Sequence, residues 1–278
     1  MTVPRLAGAV ADANEIRKYL ENDLKVPSCQ ILNLRNEEAT RDAIVQAFRD
    51  LQNHPGIKRG DPILVFYAGH GAESSAPPDW EAGGPKIQTI LPQNYSTEAG
   101  SEVYPIPDRT IGALLNDLAK EKGDNIVRLN PLTLQAFLTV QQTVIFDCCY
   151  SGSGTRSEIK STSLDRFAEV ANEVNLPADL DQDIWQGTSG DRSIKIAVGF
   201  LQCDLSSHVL LAACGAEETA KEDRTIMRGN FTKVFLETVR TIGADKITYT
   251  DLIQRIPQLP ECAHICSGRS HVLTATSY

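Results

Sequence analysis

Two short runs in this chain, Ile63-Leu64-Val65-Phe66-Tyr67 and Thr143-Val144-Ile145-Phe146, are apolar almost without interruption. A strand with one wet face alternates apolar and polar residues, whereas a strand without that alternation is covered on both sides, as in a parallel sheet. Helical patterns separate these runs. Residues 8–24 repeat apolar positions at Ala9, Ala13, Ile16, Leu20 and Leu24, and residues 39–53 place Ile44, Val45, Phe48 and Leu51 on one face. Ile111, Leu114, Leu115 and Leu118 do the same between an Asp108 cap and a Gly123 stop. Further strands are expected at Cys29–Leu34, 87–91 and 209–213, with the rest of 72–100 as loop. Further helices are expected near 164–174, through Phe231, Val234, Phe235 and Val239, and from a Thr248/Asp251 capping box to Pro257. Strands separated by helices predict an α/β fold, a mainly parallel sheet with helices on both faces, whose function gathers at the carboxyl ends of the strands.

The 278 residues suffice for one large domain or two small ones. A net charge of −9 argues against a nucleic-acid partner and favours cationic substrates. No run approaches the roughly 20 apolar residues that span a bilayer, and the first residues lack the apolar core of a signal peptide. The expected location is therefore cytoplasmic, with no membrane partner. Seven cysteines, an odd number at irregular spacing, do not read as a disulfide framework. In a reducing compartment most are free thiols, and one is available for chemistry.

The two apolar runs end in Ala68-Gly69-His70-Gly71 and in Asp147-Cys148-Cys149-Tyr150-Ser151-Gly152. If the strands are neighbours, an imidazole and a thiol share a cleft. A thiol needs a base to become a nucleophile, so His70 and Cys149 form a candidate catalytic pair. The oxyanion of an acyl-transfer intermediate needs N–H donors, and the amides of Gly71 and Cys149 are the natural ones.

The Asp147–Gly152 segment resembles the Asp-x-Cys-His-Ser-Gly pattern of metacaspases, fungal-type caspase-like cysteine peptidases. The resemblance runs from about Leu6 to about Leu273. It implies a caspase-like single domain with a large-subunit portion over 1–152, a linker and processing loop over 153–206, and a small-subunit portion over 207–278. It makes Cys149 the nucleophile rather than Cys148, and strand alternation agrees that only one of the two faces the cleft. It places Asp147 in the S1 pocket, which holds the P1 side chain preceding the scissile bond. Gly8-Ala9-Val10-Ala11-Asp12 matches a second pocket segment, so Asp12 joins Asp147 there. Two carboxylates favour Arg or Lys at P1, so the implied partners are protein or peptide substrates with basic residues. Arg156, Lys160, Arg166 and Arg192 in the linker then become candidate self-cleavage sites. Glu217 is a weaker pocket candidate.

The chain departs from the family pattern in three places. It begins after the apolar strand with which the family starts, which predicts an open sheet edge. Asp108-Arg109 stands where calcium-dependent members carry Asp-Asp, and Arg156 where another Asp falls, so no family-type calcium site and no other cofactor is expected, with calcium activation left open. Tyr150 replaces the motif's histidine. Cys262, His264, Cys266 and His271 lack the spacing of a structural zinc site. The rival expectations are a catalytically impaired caspase-like scaffold or signalling module, and a transferase or hydrolase using the same pair on a non-peptide acyl group.

Overall fold

The computed structural model describes residues 3–80, 82, 84–123, 142–149, 163–168, 174–186, 208–214, 220–257, 259 and 265–267. The apolar runs form strands β1 (Leu64–Ala68) and β5 (Gln142–Asp147), which pair in parallel. Strand β7 (His208–Ala212) pairs in parallel with β5 on its other side, and β10 (Ile265–Ser267) closes the sheet antiparallel to β7. The sheet order is β1-β5-β7-β10. Strands from before and after the linker are thus neighbours in one sheet.

Strand alternation sorts the core onto two faces. Val144, Phe146 and Leu210 point one way, onto helices α2 (Arg41–Asn53) and α3 (Asp108–Lys122), where they meet Val45, Phe48, Ile111 and Leu115. Ile145, Val209 and Leu211 point the other way. They meet Ile16 of α1 (Ala9–Lys18), Phe231 and Phe235 of α5 (Asn230–Ile242), and Leu252 of α6 (Tyr249–Arg255). Helices cover both faces, as expected for this α/β pattern.

Helix ends follow their local chemistry. Thr40 and Thr248 cap α2 and α6, their side-chain oxygens accepting from the N–H groups of Ala43 and Asp251. Gly123 ends α3 with a φ of 93°. Pro107, not Asp108, occupies the cap position of α3, so Asp108 is its first residue. Helix α1 passes directly into a π turn at Tyr19–Asp23.

Three further expectations are corrected. The expected strand Cys29–Leu34 is a single 3-10 turn at Ser28–Gln30 followed by chain with no ladder partner among the described residues. Extended propensity does not make a strand where no neighbour supplies N–H and C=O groups. β1 likewise pairs on one side only among the described residues, and Leu64 is 37% exposed. A cavity of 1810 Å3 lies between β1, α1, α2 and the 29–37 stretch, and reaches His70 at one end. Within the stretch read as loop, β2 (Gly71–Ser75) pairs antiparallel with β3 (Lys86–Ile90), which pairs with β4 (Ile106–Pro107). β2 has poor strand-forming residues, and ladder partners alone hold it extended.

The expected helix near 164–174 begins instead as strand β6 (Ser163–Asp165), antiparallel to β8 (Lys221–Asp223), which pairs with β9 (Arg228–Gly229). Tertiary pairing overrides the local helical pattern here. Residues 169–173 lie outside the described residues, as do Arg156, Lys160, Arg192, Glu217, Tyr150, Cys262, His264 and His271. Further along the linker, Arg41 pairs with Asp181 at 2.6 Å. Nearby, the Arg109 guanidinium stacks between Trp80 and Trp185, 4.3 and 4.0 Å from their ring centroids. These contacts tie the stretch containing α4 (Gln182–Gln186) to the α2–α3 layer.

Candidate active site

β1 and β5 end side by side, with Ala68 opposite Asp147 in the register. His70 and Gly71 follow the first strand, Cys148 and Cys149 the second. Alternation sends Cys148 into the α2–α3 face and Cys149 toward the α1–α5 face. The Gly71 and Cys149 amides both donate to one oxygen, the carbonyl of Arg166, at 3.0 and 3.3 Å. These are the two N–H groups expected to hold an oxyanion.

Gly71 is required by this approach. A Cβ at that position would run into the carbonyl oxygen of Cys149. Gly71→Ala is therefore expected to destabilise the protein by at least about 1–3 kcal/mol, the usual cost of overpacking, read as a lowered calorimetric Tm. An unchanged Tm would mean that the two strand ends do not meet this closely.

His70 Nε2 lies 2.6 Å from the carbonyl oxygen of Pro4. A carbonyl only accepts, so Nε2 carries the proton and neutral His70 presents a lone pair at Nδ1. Nδ1 is buried without a hydrogen-bond partner. Burial pushes the His70 pKa below its ordinary value of 6.5, which keeps the ring neutral. Pro4 thus orients the ring, a positioning role that no local sequence pattern announces. The Cys149 thiol donates to the carbonyl of Ala220 at 3.0 Å, with Cys214 beside it. Burial, together with Cys214, pushes this thiol well up. No hydrogen bond joins His70 to Cys149 among the described residues; the structure brings their backbones, not their reactive atoms, to a common point.

Asp12 and Asp147, from α1 and the end of β5, meet around one guanidinium, that of Arg166. Arg166 Nη2 lies 2.5 Å from Asp12 Oδ2, and Nη1 lies 3.1 Å from Asp147 Oδ2. Glu222 of β8 stands 3.5 Å from Nη2 and also accepts from the amides of Ala7 and Gly8. Asp12 further accepts from Arg228 Nε at 2.6 Å and the Gly229 amide at 2.8 Å, while Asp147 accepts from the Thr232 hydroxyl at 2.5 Å. The side chains of Arg166, Asp12, Asp147 and Glu222 are fully buried.

Gly229 forms one wall of this pocket. A Cβ there would meet Asp147 Oδ2, and Asp12 Oδ2 at 2.6 Å. Burial raises the Asp12 carboxyl against the pull of Arg166. Burial alone would lower Arg166, but Asp147 and Asp12 outweigh it and hold the guanidinium protonated. Glu222, Arg228, Gly229 and Thr232 were not legible as pocket residues. They lie 75 to 85 residues beyond Asp147, and only the packing of β8, β9 and α5 on the end of β5 gathers them.

Residues 163–168 lie across this site in extended form. β6 runs antiparallel to β8, the Arg166 amide donates to Ala220, and the Ala168 amide donates to the Gly71 carbonyl at 3.0 Å. Arg166 and Ala168 are buried, Asp165 is exposed and Phe167 is partly buried.

A mainly parallel sheet covered by helices on both faces, with a histidine and a cysteine at the ends of adjacent strands, defines a caspase-like α/β fold. The chain belongs to the caspase-domain family, whose sequence profile matches residues 2–259, and with it to the cysteine peptidase class. A crystal structure of a protein from Geobacter sulfurreducens is similar at a TM-score of 0.59 and 17% identity, over 95% of this chain and 86% of that one, a likeness of fold alone. A search of curated proteins finds no match. Among the described residues, no helix is long and apolar enough to cross a membrane.

Proposed function

We propose that the protein is a cysteine endopeptidase that cleaves after arginine or lysine and that its own Arg166–Phe167 bond is docked as a substrate. One observation carries this reading: the Arg166 carbonyl accepts from both the Gly71 and Cys149 amides while its guanidinium fills the acidic pocket. Asp12, Asp147 and Glu222 then form S1. Emptied of Arg166, that pocket sets three buried carboxylates against Arg228 alone among the described residues, so an incoming side chain must be a cation.

The Cys149 thiol leaves the Ala220 carbonyl and gives its proton to His70 Nδ1. The thiolate adds to the carbonyl carbon, and the two amides hold the oxyanion. The C–N bond breaks as His70 returns the proton to the leaving amine. Water, deprotonated by His70, then releases the acyl group from sulfur. Neither a metal nor a cofactor is needed for these steps.

The test offers peptides with Arg, Lys or Asp at P1 to the protein, with and without calcium. Cleavage after Arg and Lys but not Asp is expected. As the pH falls below 6.5 and His70 takes up a proton at Nδ1, kcat/KM should drop, by about tenfold per unit once the ring is mostly protonated. Preference for Asp would overturn the pocket assignment. Cleavage of none would favour the scaffold reading, which draws on the Cys149 thiol being buried against Ala220 rather than facing His70.

A further inference from the structure

Resting on that reading, we infer that Val3, Ala72, Leu91 and Tyr95 form a pocket that admits only a small side chain at the second residue after the scissile bond. The docked segment fixes the register on both sides of the cut. Arg166 marks P1 by its carbonyl, so Ala168 stands at P2′. Its amide donates to the Gly71 carbonyl, which anchors the chain beyond the scissile bond by its backbone while its own side chain is buried. Successive side chains of an extended chain point to opposite sides, and the burial follows that period: Arg166 and Ala168 are enclosed, Asp165 is open.

Ala168 is 2% exposed and packs with Ala72 and Leu91, while the partly buried Val3 and Tyr95 close the sides. The backbone behind one wall is held by hydrogen bonds. The Leu91 amide donates to the His70 carbonyl at 3.0 Å, and the Tyr67 hydroxyl is shared between the carbonyls of His70 and Leu91 at 2.8 and 3.0 Å. On the other side Val3 adjoins Pro4, whose carbonyl orients His70. A larger P2′ side chain would therefore press on both strands of chain that hold the base in place.

The test uses internally quenched peptides Ser-Leu-Asp-Arg-Phe-Xaa-Glu-Val with alanine, leucine or tryptophan at Xaa. Beside them stands Ser-Leu-Asp-Arg-aminocoumarin, which has no residue at P2′. The coumarin should be released, and the alanine peptide should be cut with kcat/KM about 10- to 100-fold above the leucine peptide, with tryptophan lower still. In Leu91→Ala the alanine-to-leucine ratio should fall toward one or invert, a change in selectivity that a general loss of stability would not produce. Equal rates for alanine and leucine with coumarin released would overturn the pocket and leave the peptidase reading standing. So would an alanine preference unchanged by Leu91→Ala. Release from no substrate would overturn both.

Discussion

With Cys149 replaced by alanine, the chain is expected to stay whole, whereas the unaltered protein breaks at one bond, Arg166–Phe167. Intact-mass spectrometry would read fragments 1–166 and 167–278 from the latter only. The rate should fall by at least about 10⁴-fold in the variant, the usual scale for removing a nucleophile. The site of the cut is as informative as its loss. Arg156, Lys160 and Arg192 offer the same P1 chemistry in the sequence, but only Arg166 is described with its carbonyl on both amides. Cutting at one of the others instead would mean that the docked segment is not the reactive one. The fragments should co-elute in native chromatography, because β5 from the first and β7 from the second are adjacent strands of one sheet. Dissociation after the cut would contradict that pairing.

Arg166→Met is expected to cost about 3–5 kcal/mol of folding stability, measured by chemical denaturation. The substitution keeps a long side chain and removes the charge, leaving Asp12, Asp147 and Glu222 with Arg228 as their remaining cation among the described residues. The size of this loss is not the worth of the ion pairs, since a buried pair recovers little beyond its own desolvation. It is the cost of carboxylates left uncompensated. The pH dependence has a definite sign. Burial already raises Asp12, and Arg166 is the largest influence holding it down. Without Arg166, the folded-state pKa rises further above the unfolded value, and such a group adds stability at low pH that is lost as pH rises. The deficit of the variant should therefore shrink on acidification. A loss below about 1 kcal/mol at neutral pH would mean that water reaches the pocket.

The sheet-forming runs, helix α2, the capped helix α6 and the glycine stop of α3 were legible because each depends on residues close together in the sequence. So was the placement of His70 and Cys149 just past the ends of neighbouring strands. Strand Cys29–Leu34 and helix 164–174 misled for a common reason. Local pattern states a preference, but the partner that satisfies the backbone decides the outcome. At 31–35 no partner is present among the described residues. At 163–165 strand β8 supplies one.

By itself the sequence determined the α/β class, the candidate pair and the acidic character of Asp12 and Asp147, since these reside in residue types and short spacings. Only the tertiary structure decided that Arg166 lies between those carboxylates, that Glu222, Arg228 and Gly229 complete the enclosure, and that Pro4 orients His70. These contacts join residues 19 to 217 positions apart. What selects them is the shared cost of burying charge and backbone polar groups, which is met only when distant segments meet in the folded chain.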